Sequence, residues 1–126
     1  MAHRTPLATV RGLGSAKAGA EHFWRQRLTA VANIVLVCFL IWLIFKLVGA
    51  DYATVKRTLA RPQNAILLLL LVLSGIVHMR LGMQTIIEDY VHCEGRRVTL
   101  LMLNSFFAIV VGLTCVFAVL KLSFGA

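Results

Sequence analysis

Charged residues along this chain fall into clusters, and between the clusters run three stretches that carry no charge at all. Leu28 to Phe45 and Pro62 to Met79 each span 18 residues, and Val98 to Leu120 spans 23. Each is close to the roughly 20 helical residues that cross about 30 Å of hydrocarbon. A segment in lipid must satisfy its own backbone, because a loop or an open strand edge leaves groups unpaired at about several kcal/mol each. The pattern therefore predicts an all-α integral membrane protein with three transmembrane helices, at about 28–48, 63–87 and 98–121. These form one membrane domain, 28–121, behind an N-terminal segment, 1–27.

The ends and connections fit that plan. The start, MAHRTPLATVRGLGSAKAGA, lacks the apolar core of a secretory signal, and is expected to be a mature cytoplasmic tail kept irregular by Gly12, Gly14 and Gly19. His22, Trp24, Arg25 and Arg27 precede the first span, where aromatic and basic side chains commonly anchor a helix in the headgroup layer. In the first connection, Gly49 and Asp51 are expected to stop one helix and Pro62 to start the next, with a loop or short surface helix between them.

Composition agrees: 60% of residues are hydrophobic and 14% charged, outside the range of a soluble domain. The net charge of +8 raises nucleic-acid binding as a possibility, but the cations are spread over both tails and both connections and form no dense block, which argues against it. Their distribution orients the chain. Arg4, Arg11, Lys17, Arg25, Arg27, Arg80, Arg96 and Arg97 fall on one side and Lys46, Lys56, Arg57, Arg61 and Lys121 on the other. That bias favours a cytoplasmic N-terminus and a periplasmic C-terminus. Cys38, Cys93 and Cys115 have no CxxC spacing or companion ligands, so neither a zinc site nor an iron–sulfur cluster is expected. No phosphate-binding glycine motif is present, which argues against nucleotide chemistry.

The stretch HMRLGMQTIIEDY, which closes the second span, holds the candidate chemistry. With His78 at zero on a helix turning about 100° per residue, Ser74 and Gly82 lie about 40° away, Gly75 about 60°, and Thr85 and Asp89 about 20°. One stripe thus gathers the small and polar residues, while Leu, Ile, Val and Met cover the rest. Two readings stay open. His78 can hydrogen-bond a neighbouring helix, with Gly75 and Gly82 permitting close approach. Alternatively, its imidazole is an axial ligand of haem iron, with the bare glycine face giving a flat macrocycle room. An electron-transfer haem with two axial ligands would then take its second ligand from another subunit.

Asp89 and Tyr90 follow His78 by about 17 Å along a continuous helix. Tyr90 fits an aromatic belt at the membrane surface, or its hydroxyl can donate to a quinone carbonyl with Asp89 holding water or a cation beside it.

His78, Gly82, Met83, Asp89 and Tyr90, together with the upstream GLGSAKAGAEHFWRQRLTA, resemble the small hydrophobic membrane-anchor subunits of alphaproteobacterial succinate dehydrogenases. The resemblance implies a four-subunit succinate:ubiquinone oxidoreductase of the inner membrane. A flavoprotein and an iron–sulfur subunit would dock on two three-helix anchors, this chain and a cytochrome b subunit. Succinate would be oxidised on the flavoprotein and ubiquinone reduced at the membrane. On the same resemblance, His78 is one axial ligand of haem b, Arg27 and His22 lie near its propionates, and Tyr90 and Asp89 line the quinone site. Two rivals make different predictions: a haem-free structural anchor of a related fumarate reductase or succinate dehydrogenase, and a small transporter relaying protons through His78 and Asp89.

Overall fold

The computed structural model describes residues 6–10 and 16–124. Five helices follow one another: α1 (Pro6–Val10), α2 (Ala16–Leu47), α3 (Tyr52–Leu59), α4 (Pro62–Tyr90) and α5 (Glu94–Phe124). Gly12, Gly14, Arg4 and Arg11, which entered the expectations above, lie outside the described residues.

α2, α4 and α5 are each long and apolar enough to cross a membrane. Their 32, 29 and 31 residues correspond to about 48, 43 and 46 Å, well beyond the hydrocarbon thickness. The uncharged stretch occupies only part of each helix and is bracketed by cations: Arg27 and Lys46 on α2, Arg61 at the N-cap of α4 and Arg80 within it, Arg97 and Lys121 on α5. Long basic side chains at those positions keep their charge at the membrane surface while their stems cover apolar neighbours. At the two ends of the uncharged stretch of α2 an aromatic ring shares the position: Arg27 lies 4.5 Å over the ring of Phe23, and Lys46 lies 5.0 Å over that of Trp42.

The first helix starts earlier than the sequence suggested. Residues 16–20, expected as the end of an irregular tail, and the anchor residues 21–27 form the opening turns of α2, and Gly19 sits inside the helix. Strong helix formers in AKAGAEHFWRQR outweigh one glycine. Arg25 pairs with Glu21 one turn back at 2.5 Å, an exposed contact that adds a few tenths of a kcal/mol at most.

α4 is the central element. It runs antiparallel to both neighbours, pairing residue 29 with 78 and 26 with 82 on α2, and residue 104 with 80 and 112 with 76 on α5. α2 and α5 share no extended contact among the described residues. Lipid tails are as apolar as leucine, so helices associate there by close fit rather than by hydrophobic burial. Small residues accordingly mark the α4–α5 crossing: Ala108 is 2% exposed, and a Cβ on Gly112 would lie 3.5 Å from Ile76. On α2, Leu36 and Leu43, seven residues apart, are buried.

The first connection behaves as expected at Gly49 and Pro62. Gly49 takes a φ of 78°, the left-handed conformation that ends a helix at little cost to glycine. Pro62 opens α4, where its missing N–H costs nothing. Asp51 was expected to stop α2 and instead starts α3, standing at its N-cap position with an extended backbone. Its side chain makes no cap hydrogen bond of good geometry. The nearby Thr54 hydroxyl, followed by Thr54 and neighbouring backbone N–H groups, still holds its carboxyl below the usual value. Asn64 donates to the Thr58 carbonyl at 2.7 Å, closing the turn between α3 and α4.

Candidate functional site

A polar seam joins α2 to α4. From α2 come Gln26, Thr29 and Asn33, spaced i, i+3, i+7; from α4 come Ser74, His78 and Gly82, spaced i, i+4, i+8, so each set shares one helical face. At the centre, Thr29 Oγ1 lies 3.2 Å from His78 Nδ1.

The direction of that bond follows from counting protons. A threonine hydroxyl has one, and the carbonyls of Arg25 at 2.8 Å and Gln26 at 3.1 Å on the same helix compete for it. With its proton turned back into α2, the oxygen is left to accept, so His78 Nδ1 carries the hydrogen. That assignment, made from the hydrogen-bond network, places the free lone pair of the neutral imidazole on Nε2. A histidine oriented by a hydrogen bond at one nitrogen and open at the other is the arrangement found in protein metal ligands. Ser74 extends the seam, its hydroxyl donating weakly to the Thr29 carbonyl at 3.4 Å.

Gly75 and Gly82, which the sequence placed on one stripe, divide between the two readings offered for them. A Cβ on Gly82 would lie 3.2 Å from Gln26 Nε2, so this glycine serves close approach of α2. A Cβ on Gly75 would meet nothing within 4 Å, so the surface one turn from His78 is bare and unfilled by this chain. A histidine engaged through Nδ1 and a bare glycine one turn away on the same helix fit a flat, iron-bearing macrocycle.

The remaining expected residues are not gathered at His78. Arg27 is engaged with Phe23. His22 lines a cavity of about 210 Å³ with Glu21, Arg25, Arg80, Leu81 and Gln84. Its Nε2 is buried without a hydrogen-bond partner, as are Gln26 Oε1 and Asn33 Oδ1. Unpartnered buried polar atoms are costly, and such a nitrogen suits an anionic oxygen brought by another molecule. Asp89 is exposed and Tyr90 is 78% exposed at the end of α4, about 18 Å along the axis from His78. Thr85 is exposed and bonds back to Leu81 of its own helix at 3.1 Å.

A cavity of about 480 Å³ between α3 and the end of α5 involves neither His78 nor Tyr90. At the start of α5, exposed Cys93 has its thiol held below the usual value, first by the backbone N–H of Arg96 and then by the Arg96 side chain.

Sequence reasoning missed the α2 half of the seam. The signal is present in the sequence, since Gln26, Thr29 and Asn33 are polar residues at helical spacing entering an apolar span.

The family model for succinate dehydrogenase/fumarate reductase transmembrane subunits matches residues 1–120. The chain is 38% identical over 108 residues to the succinate dehydrogenase hydrophobic membrane anchor subunit of Rickettsia bellii, covering 84% of this chain and 85% of the relative. It is 29% identical over 126 residues to the subunit of the same description from Paracoccus denitrificans, covering 100% and 97%. A succinate dehydrogenase membrane anchor subunit from Reclinomonas americana is 33% identical over 96 residues, covering 74% and 80%. No solved structure matches the chain.

Proposed function

This chain belongs to the succinate dehydrogenase/fumarate reductase transmembrane subunit family, and from that premise we propose that it holds one face of a haem b through His78 and one edge of a ubiquinone through Tyr90. It is a membrane anchor of succinate dehydrogenase, a multi-pass inner-membrane part of an enzyme complex.

The observation that carries the haem reading is the Thr29–His78 hydrogen bond, which engages Nδ1 and leaves Nε2 as the nitrogen for a ligand; the bare Gly75 one turn away supports it. When bound, haem b supplies a one-electron relay. Within this chain, His78 would hold the iron through Nε2, Thr29 would fix the ring, and Gly75 would leave room for the macrocycle; the other iron ligand would be a histidine of the partner anchor, as the resemblance implies. Arg27 and His22 are the candidates for the propionates, His22 because its buried nitrogen has no partner of its own.

The parts of α2 and α4 that run beyond the uncharged stretches emerge on one side. In this reading that side is cytoplasmic and receives the iron–sulfur and flavoprotein subunits. Electrons from succinate arrive there, and ubiquinone takes up two electrons and two protons. The Tyr90 hydroxyl donates to a quinone carbonyl and is resupplied from water, while Asp89, adjacent and exposed, holds water in that path.

The test is the reduced-minus-oxidised visible spectrum of the complex purified through this chain, beside the His78→Leu variant. A b-type signal that disappears or shifts in the variant supports ligation by His78. An unchanged signal overturns it, and no signal in either makes the chain a haem-free anchor.

A further inference from the structure

Arg80 occupies an unusual place. It is the first charged residue after the 18 uncharged residues of α4, so its Cα lies at the edge of the hydrocarbon layer. Among the described residues it has no carboxylate partner: the one ion pair is Arg25–Glu21, and Glu88 accepts from the Gln84 amide at 2.8 Å. Charged groups at membrane depth are costly and need oxygen partners.

Arg25 reaches the same place from α2, three residues before its uncharged stretch. The two arginines, with Leu81, line both of two cavities. The cavity of about 210 Å³ described above is polar. The other, of about 240 Å³, is floored by Ile76 and Val77 of α4 and Ala108 and Ile109 of α5. The two arginines and Glu21 sum to a single positive charge. The slot therefore pairs a cationic mouth at headgroup depth with an apolar channel running into the span.

We infer that this slot binds one anionic phospholipid, with the phosphodiester held between Arg80 and Arg25 and an acyl chain lying along Ile76, Val77, Ala108 and Ile109. A phosphodiester carries one negative charge, matching the slot, and its oxygens satisfy guanidinium donors in a fork geometry. The apolar floor requires a tail, which a free phosphate lacks. Arg80 lies about 160° around α4 from His78, while His22, proposed for a propionate, lines the same polar cavity as both arginines, so the visible spectrum is read beside lipid retention.

The experiment uses the whole complex, delipidated and re-equilibrated with mixed micelles containing either phosphatidylglycerol or phosphatidylcholine. Retained lipid is read by native mass spectrometry, and the visible spectrum is recorded on the same samples. The expected result is that the wild type retains phosphatidylglycerol in preference to phosphatidylcholine and that Arg80→Gln weakens this retention by about tenfold, the loss expected for one charge-assisted pair. Arg80→Lys falls between, because a point charge replaces the fork, and the spectrum stays unchanged throughout. Should Arg80→Gln fail to assemble, Arg25→Gln carries the same expectation. Equal retention in wild type and variants overturns the inference. So does displacement of the lipid by excess inorganic phosphate, which would mark a free-anion site. A spectral change in Arg80→Gln with retention intact would assign the arginine to a haem propionate, and loss of the partner anchor with retention intact would assign it to a carboxylate of that subunit; either also overturns it.

Discussion

Thr29 Oγ1 and His78 Nδ1 stand 3.2 Å apart, although 49 residues separate them along the chain. With the hydroxyl proton turned into α2, the contact would polarise the imidazole and, in the proposed function, make Nε2 a better donor to iron. Replacing Thr29 by Val removes the acceptor and keeps the shape. The haem midpoint potential is expected to rise by about 40 mV, the one-electron equivalent of one hydrogen bond at about 1 kcal/mol. Thr29→Ser, which retains the oxygen, is expected to stay near wild type. A redox titration of both variants measures this; identical potentials for Val and wild type would remove Thr29 from the argument.

Gly75 and Gly82 are expected to fail differently. A leucine at 82 drives into Gln26, pushes α2 from α4 and breaks the Thr29–His78 contact, so the complex should assemble poorly. A leucine at 75 meets nothing in this chain, so the anchor should insert and assemble while haem content per complex falls. Haem quantified against flavin in purified complexes separates the two outcomes.

Tyr90→Phe deletes one hydroxyl from an exposed helix end and disturbs nothing buried. Succinate:ubiquinone activity is expected to fall by about tenfold, the cost of one functional hydrogen bond. Succinate oxidation with a soluble dye should be retained. Parallel loss of both activities would point to failed assembly.

Cys93 gives a prediction with a pH sign. Arg96 lowers its thiol pKa, and the thiolate is the nucleophile, so alkylation should become rapid at lower pH than for the same thiol in the unfolded chain. Arg96→Ala removes the guanidinium and leaves the backbone N–H, so the labelling profile should move only part of the way back. Iodoacetamide rates across pH, with Cys93 peptides followed by mass spectrometry, read the shift.

The three spans were legible because absence of charge over a membrane's width is a one-dimensional signal that needs no tertiary information. Gly49 and Pro62 were legible for a similar reason, since each acts on its own backbone. Asp51 was placed on the wrong helix because a stop and the next start lie within two residues, and only the course of the chain after Gly49 decides between them. The early start of α2 was missed because glycines were weighed individually against a run of strong helix formers. His78 and its stripe could be read from α4 alone. What the imidazole does with each nitrogen could not, because that depends on which α2 residue faces it. The positions of Arg25 and Arg80 on one slot likewise required the antiparallel register of two helices.

Among the described residues, only Leu36, Leu43, Ala65, Ile87 and Ala108 are buried hydrophobic side chains, and α2 and α5 share no extended contact. The genetic consequence is that damage to this chain is repaired most readily in trans. A substitution on a span surface has few neighbours within its own polypeptide to compensate for it, so second-site suppressors should map to the genes of adjoining subunits. Intragenic suppressors should concentrate along α4, the span that packs against both other spans.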